Sequence, residues 1–205
     1  MGSQYSLNLR AAGGTCRSLF FSASVAKLLE NPPLFAHFGA AMTITVRRAR
    51  KEDAATVSAM CLALNEEEAV PGRRFTPEAM LRDSFAPKPR FILLVAERAG
   101  LVVGYALATP SYESNWAAPG LCVGDIYVAP PDRRRGVARA LIAALAAEAR
   151  RQGREYLWWT SLPHNASARE FYRALGSTTE HVHAHALAGD EFVRLADEGE
   201  GGNLI

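Results

Sequence analysis

One stretch constrains this chain more than any other. Leu121 to Val128 is a strand-length run, apolar on both faces except for Asp125. Such a run belongs inside a sheet, where both faces are covered. Ala129-Pro130-Pro131 then turns the chain, and Arg133-Arg134-Arg135-Gly136 leads into a helix predicted over 136–152. Val137, Leu141, Leu145 and Ala149 fall on one face of that helix, and Arg150-Arg151 followed by Gly153 closes it. A buried strand feeding a one-sided helix requires a sheet with helices packed on it. The helix start exposes unpaired backbone N–H groups at the positive end of the macrodipole, which suits a phosphate. Gly136 and Ala138 lack bulk, so an anion can come close to the backbone, and the arginines add charge beside it. A basic helix start on a solvated face is the plainer reading of an arginine run alone. Neither the Gly-x-x-x-x-Gly-Lys-Ser/Thr nor the Gly-x-Gly-x-x-Gly phosphate pattern occurs.

The remaining elements follow from periodicity and turn chemistry. Residues 43–49 read as a strand, and Glu52-Asp53 opens a helix with Ala55, Val57, Met60, Cys61 and Leu64 on one face. That helix ends in Glu66-Glu67-Glu68 and the Pro71-Gly72 breaker. Thr76-Pro77-Glu78 caps a short helix to about Phe85. Phe91 to Ala96 and Leu101 to Leu107 form a hairpin around Ala99-Gly100. Residues 109–120 read as a Pro/Ser/Asn/Gly loop, Tyr156 to Thr160 as a strand, and Asn165 to Leu175 as a helix stopped by Gly176. Thr179–Leu187 and Glu191–Leu195 read as a final hairpin. This order predicts a mixed-sheet α/β or α+β domain.

Charge narrows the partners. The net +2 of the chain resides in residues 1–41, which carry Arg10, Arg17 and Lys27 against Glu30; residues 42–205 balance 20 basic against 20 acidic side chains. That argues against a dedicated nucleic-acid or membrane-surface binder. No apolar run reaches the length of a transmembrane helix. Residues 1–41 are Ser-rich and acid-poor, and are expected to be a tail, sequence upstream of a start at Met42, or an organellar transit segment. The domain is expected over 42–205. Three widely spaced cysteines, Cys16, Cys61 and Cys122, predict a reducing, cytoplasmic compartment rather than a disulfide framework.

A second motif follows the first. Strand 156–160 precedes Asn165-x-x-Ala168-x-x-Phe171-Tyr172-x-x-Leu175-Gly176. Taken alone, Phe171-Tyr172 would be a core pair on an amphipathic helix. Together with Val128-x-Pro130 and Arg133-x-x-Gly136-x-Ala138, it resembles the GCN5-related N-acetyltransferases over about 42–196. The resemblance implies an α/β fold with a central, largely antiparallel sheet, a splayed parallel strand pair and flanking helices. It implies acetyl-CoA as cosubstrate, with no metal. The pyrophosphate would lie against Arg133 and the amides of Arg134, Arg135, Gly136, Val137, Ala138 and Arg139. The pantetheine arm would pair with the backbone of Ile126, Tyr127 and Val128, with Asn165 helping to position the coenzyme. Tyr172 would protonate the leaving thiolate.

The implied reaction is direct acetyl transfer to an amine. Asp125 is the candidate base or acceptor anchor; a hydrogen-bonded strut is the alternative. The polyamine and thialysine branch commonly carries Glu-Asp at this place, whereas this chain has Gly124-Asp125. Proton removal could therefore run through water or through Glu113. A small-molecule primary amine is the leading acceptor. A protein lysine or N-terminal amine is the second reading, and a non-catalytic acyl-CoA-binding regulatory module the third.

Several other residues carry weaker signals. Cys122 reads as a small buried strand residue rather than a nucleophile. His181, His183 and His185 alternate on one predicted strand; a solvated or homodimer-facing strand is the plainer reading than zinc. Trp158-Trp159 reads as core packing, and Tyr105, Tyr112 and Trp116 as bordering the acceptor side. Glu66-Glu67-Glu68 reads as a solvated helix end, with attraction of a cationic acceptor as the alternative.

Overall fold

The alternating residues after Thr43 open the sheet as strand β1, Ile44–Arg48. The computed structural model describes residues 43–69 and 75–201. The expected extension 1–41 and the Pro71-Gly72 breaker lie outside the described residues. Helix α1, Ala54–Glu67, starts from a 3-10 turn whose Asp53 carboxylate accepts the Arg50 amide at 2.6 Å. Arg47 of β1 grips the same carboxylate with both terminal nitrogens, at 2.7 and 3.0 Å. That guanidinium holds Asp53 below the usual carboxylate range. The turn also sets the helix phase. Ala54, Val57, Ser58 and Cys61 are buried, whereas Ala55, expected on the inner face, points outward. Helix α2, Pro77–Ser84, is capped as expected, with Thr76 Oγ1 accepting from the Ala79 amide at 3.2 Å.

Strands β2 (Ile92–Arg98), β3 (Leu101–Glu113), β4 (Ala118–Val128) and β5 (Tyr156–Trp158) complete a five-stranded sheet in the order β1-β2-β3-β4-β5. Every neighbouring pair is antiparallel except β4 and β5, which run parallel. Side chains alternate across the sheet into two apolar layers. On one face Leu93, Val95, Tyr105 and Tyr127 pack against Val57 and Cys61 of α1 and Met80 of α2. On the other, Leu94, Ala106, Leu121 and Val123 pack against Val137, Leu141 and Leu145 of helix α3, Val137–Arg151. Helix α4, Ala166–Ala174, follows β5.

Two segments depart from the sequence reading. Residues 109–120 are not a loop: β3 runs on to Glu113 and β4 begins at Ala118, so only residues 114–117 turn. Pro110 is tolerated in the strand because β2 stops pairing at Ala108, leaving β3 a single neighbour there. Tyr156, from outside the hairpin, braces the extension. The Ser111 and Tyr156 hydroxyls meet at 3.1 Å, and Trp116 packs edge-on against Tyr156 at 5.1 Å. The second departure is the C-terminal hairpin. Residues 179–187 are exposed and form no strand, and Asp190–Gly201 is helix α5. Arg194 pairs with Glu191 and Glu198, one helical turn to either side, and this local spacing favours the helix over the expected strand. The His181, His183 and His185 side chains consequently share no strand face, and no metal-holding group forms among the described residues. No helix among those residues is long and apolar enough to cross a membrane.

Gly104 allows β3, β4 and α3 to come together. A Cβ there would lie 2.6 Å from the Tyr127 carbonyl and 3.3 Å from a Val137 methyl. Because the closer obstacle is backbone, Gly104→Ala is expected to destabilise the fold by about 2 kcal/mol, measured by denaturant unfolding.

Candidate active site

The site forms where β4 loses a neighbour. β5 pairs with β4 only at Gly120, Leu121 and Cys122, opposite Tyr156, Leu157 and Trp158. From Val123 to Val128, β4 keeps β3 on one side and, among the described residues, has no strand on the other. Its pairing with β3 shifts between Leu107 and Ala108, leaving Gly124 as an extra residue between Val123 and Asp125. Such a bulge bends the strand and re-aims the side chains beside it. Ile126, Tyr127 and Val128, expected to line the pantetheine arm, all lie in the open stretch.

At the end of β4 the chain makes a 3-10 turn, Pro130–Asp132, and then the exposed turn 133–136. Buried Asp132 is fixed by the Arg98 guanidinium of β2, through Nε at 2.6 Å. Gly136 has φ +85° and ψ 0°, a left-handed conformation that glycine adopts without strain. It sits just ahead of α3. The first amide of that helix to find a backbone acceptor is Ala140, on the Gly136 carbonyl at 3.0 Å. None of the amides from Arg134 to Arg139 donates to a described backbone carbonyl. These six groups line the rim expected to cradle a diphosphate.

Arg133 behaves differently. Its Nε donates to the Val128 carbonyl at 2.8 Å, its Nη2 pairs with Glu67 at 2.6 Å, and its guanidinium lies over the Tyr127 ring. The side chain staples the loop to β4 and α1 rather than facing outward. Arg134 and Arg135 remain exposed beside the amides.

Asp125 lies on the α1 face of the sheet. The Tyr105 hydroxyl, fully buried, donates to its Oδ2 at 3.1 Å. Burial pushes the Asp125 carboxyl up, partly offset by that hydrogen bond. The Cys61 thiol of α1 also shares a hydrogen bond with the Tyr105 hydroxyl. After β5, Asn165 caps α4, its Oδ1 accepting from the Ala168 amide at 3.0 Å. Tyr172, two turns further along α4, is half-buried between Trp159 and Phe171, at centroid distances of 5.1 and 5.3 Å. Burial raises the Tyr172 phenol, with a further push from Glu68.

Other expectations change. Glu113 ends β3 opposite Ala118, six residues along the strand from Leu107, the register partner of Asp125. That is roughly 20 Å of strand, which places Glu113 far from Asp125 as the alternative proton acceptor. Its carboxylate instead accepts the Asn115 amide at 3.0 Å. Tyr112 and Trp116 sit at the same hairpin tip, while Tyr105 supports Asp125 from beneath rather than lining an acceptor pocket. Of the tryptophan pair, Trp159 packs against the core and Trp158 is 47% exposed. The residue that sequence reasoning undervalued is Glu68. It lies half-buried at the end of α1, within electrostatic reach of Asp125, His164 and Tyr172. In the sequence Glu66-Glu67-Glu68 reads as one run, with attraction of a cationic acceptor as its alternative, and nothing separates Glu68 from its two exposed neighbours.

The model of the acetyltransferase (GNAT) family matches residues 58–176. The chain belongs to that family. As a GNAT protein it is an acetyl-CoA-dependent acyltransferase. A Bos taurus thialysine N-epsilon-acetyltransferase is 29% identical over 166 residues, covering 75% of this chain and 97% of the relative. The Mus musculus protein of the same name is 31% identical over 141 residues, covering 64% and 82%. Among solved structures, a ribosomal-protein-alanine N-acetyltransferase from Brucella melitensis biovar Abortus 2308 superposes with TM-score 0.59 at 20% identity, over 72% of this chain and 100% of that one. That likeness speaks for the GNAT fold.

At Gly136 a Cβ would meet only an Ile44 methyl at 3.9 Å, so substitution acts through the backbone and the approach path rather than through core packing. Gly136→Val is expected to weaken acetyl-CoA binding about tenfold or more, read by calorimetry; unchanged affinity would remove the loop from the coenzyme site.

Proposed function

We propose that this protein transfers the acetyl group of acetyl-CoA directly to a primary amine of a small molecule. The observation that carries the reading is the placement of two titratable groups around the open stretch of β4. Asp125 lies on that strand, Tyr172 lies on the helix after β5, and both come within electrostatic reach of Glu68. The names of the two mammalian relatives favour a small amine acceptor over a protein one.

In this reading, the coenzyme's diphosphate rests on the amides of Arg134 to Arg139, beside the exposed Arg134 and Arg135. Arg133 acts indirectly, by holding the loop in shape. The pantetheine arm takes the place of the missing neighbour along Ile126–Val128, and the Asn165 side chain borders it. This brings the thioester between Asp125 and Tyr172. The neutral amine attacks the carbonyl carbon, and the C=O electron pair moves onto oxygen. A backbone N–H of the unpaired strand stabilises that oxyanion. The proton lost by nitrogen passes to Asp125, directly or through one water. The C–S bond then breaks, and the sulfur takes the Tyr172 hydroxyl proton, which solvent replaces. Holding the two reactants together supplies much of the acceleration.

The pKa directions give this scheme a pH signature. A base with a raised pKa loses activity at a higher pH than an ordinary carboxylate would, as acid protonates it. An acid with a raised pKa stays protonated beyond the ordinary tyrosine value of about 10. Turnover is therefore expected to rise with pH and to show no descending limb from Tyr172 up to about pH 10. Tyr172→Phe is expected to lower kcat about a hundredfold with little change in acetyl-CoA affinity. Asp125→Asn is expected to lower kcat/KM about a hundredfold and to abolish the limb assigned to Asp125. Both are read by thiol release over a panel of amines. Undiminished turnover in Tyr172→Phe would contradict the acid assignment.

A further inference from the structure

Asp125 meets Tyr105 because β4 changes phase. Leu121 and Val123 pack in the α3 layer, and strict alternation would turn residue 125 to that same apolar side. The extra residue at Gly124 reverses the alternation. Asp125 then pairs with Leu107 and Tyr127 with Tyr105, and Leu107, Tyr105 and Tyr127 all pack in the α1 layer. Tyr105 and Asp125 are thereby diagonal neighbours on one face, a separation that a long aromatic side chain can span.

Tyr105 is suited to donate and to do nothing else. Its side chain is fully buried among Val57, Cys61, Met80 and Val95, with the Tyr127 ring 6.4 Å away. Burial pushes its phenol far above the ordinary tyrosine range, so the hydroxyl keeps its proton wherever the protein is folded and working. That hydroxyl donates to Asp125 Oδ2 at 3.1 Å. The titratable groups about Asp125 are Cys61 and Glu68 from α1, Tyr105 from β3 and Tyr127 beside it on β4. Among the described residues, no cation forms an ion pair with the carboxylate. Arg133, whose guanidinium lies over Tyr127, is engaged with Glu67 and the Val128 carbonyl. A neutral donor therefore does for Asp125 what an arginine does for Asp53. It limits the rotation of the carboxylate, and it favours the anion, to which its hydrogen bond is stronger.

We propose that Tyr105 is a positioning residue for acyl transfer: its hydroxyl holds Oδ2 of Asp125 and leaves Oδ1 to receive the proton of the attacking amine. This rests on the base role given to Asp125 above and adds the group that keeps that base oriented. In the step itself an N–H bond breaks and an O–H bond forms at Oδ1, directly or through one water, while Tyr105 keeps its own proton.

The test is the pH profile of kcat/KM for the amine in Tyr105→Phe, by thiol release with saturating acetyl-CoA, followed on the limb that Asp125→Asn removes. Phenylalanine fills the same space, so the loss is confined to the hydroxyl. The limb is expected to move about one unit to higher pH, with about a tenfold loss of turnover below it, because the anion has lost its donor. Acetyl-CoA affinity is expected to stay unchanged. The position of a limb does not depend on how much of the protein is active, so lost stability cannot mimic the shift. Val57→Ala dents the same apolar layer without removing a hydroxyl, and is expected to leave the limb in place. Adding Tyr105→Phe to Asp125→Asn is expected to cost nothing further, since Tyr105 acts through that carboxylate. A limb that Tyr105→Phe leaves in place, an equal shift in Val57→Ala, or a further loss in the double variant would overturn the role of Tyr105 while leaving the base assignment intact. A profile that Asp125→Asn leaves unchanged would overturn both.

Discussion

A strand that loses one neighbour halfway along its length must satisfy its exposed backbone in some other way. β4 is that strand. It pairs with β3 throughout but with β5 only at Gly120, Leu121 and Cys122. Inside a domain, a row of unpaired N–H and C=O groups is an invitation to a ligand with matching amides. The surrounding elements are arranged about that row. The bulge at Gly124 bends the strand, Arg133 and Asp132 fix the loop at its end, and α4 follows β5 with Tyr172 against Trp159.

The two sides of the sheet divide the work. The α3 layer is apolar and supports the loop proposed to hold the coenzyme, with Val137 buried one residue after the left-handed Gly136. The α1 layer carries the polar chain Cys61–Tyr105–Asp125 through an otherwise apolar cluster. Such a half-buried carboxyl is tolerated because one hydrogen bond holds it and because its charge is free to leave on protonation. The same compromise suits the base role proposed for it. Arg133 resolves another apparent conflict: an arginine in a phosphate motif need not touch phosphate to matter. Its contacts to Val128, Glu67 and Tyr127 give the loop its shape, and the loop's amides do the binding in this account.

The strand–loop–helix at 121–152 and the Asn165 cap were legible because their signals are local: apolar run length, proline, glycine, helix periodicity. The family resemblance added the parting of β4 from β5, which no local pattern shows. Three features escaped for stated physical reasons. The β3–β4 extension is braced by Tyr156 of distant β5 against Ser111 and the turn residue Trp116, a contact that the loop-like Pro110-Ser111 pair does not reveal. The C-terminal alternation through His181, His183 and His185 resembles a strand, but that segment forms none, and the pairs around Arg194 favour a helix after it. Glu68 reads as one more surface carboxylate until α1 is docked on the sheet.

The central claim is that acetyl-CoA occupies the unpaired edge of β4 and the amides before α3. Hydrogen–deuterium exchange with and without acetyl-CoA tests it most directly. The account predicts slowed exchange confined to peptides spanning 123–128, 134–139 and the start of α4 near Asn165, with β1 and α2 unchanged. Slowed exchange elsewhere, with those three segments unaffected, would contradict it.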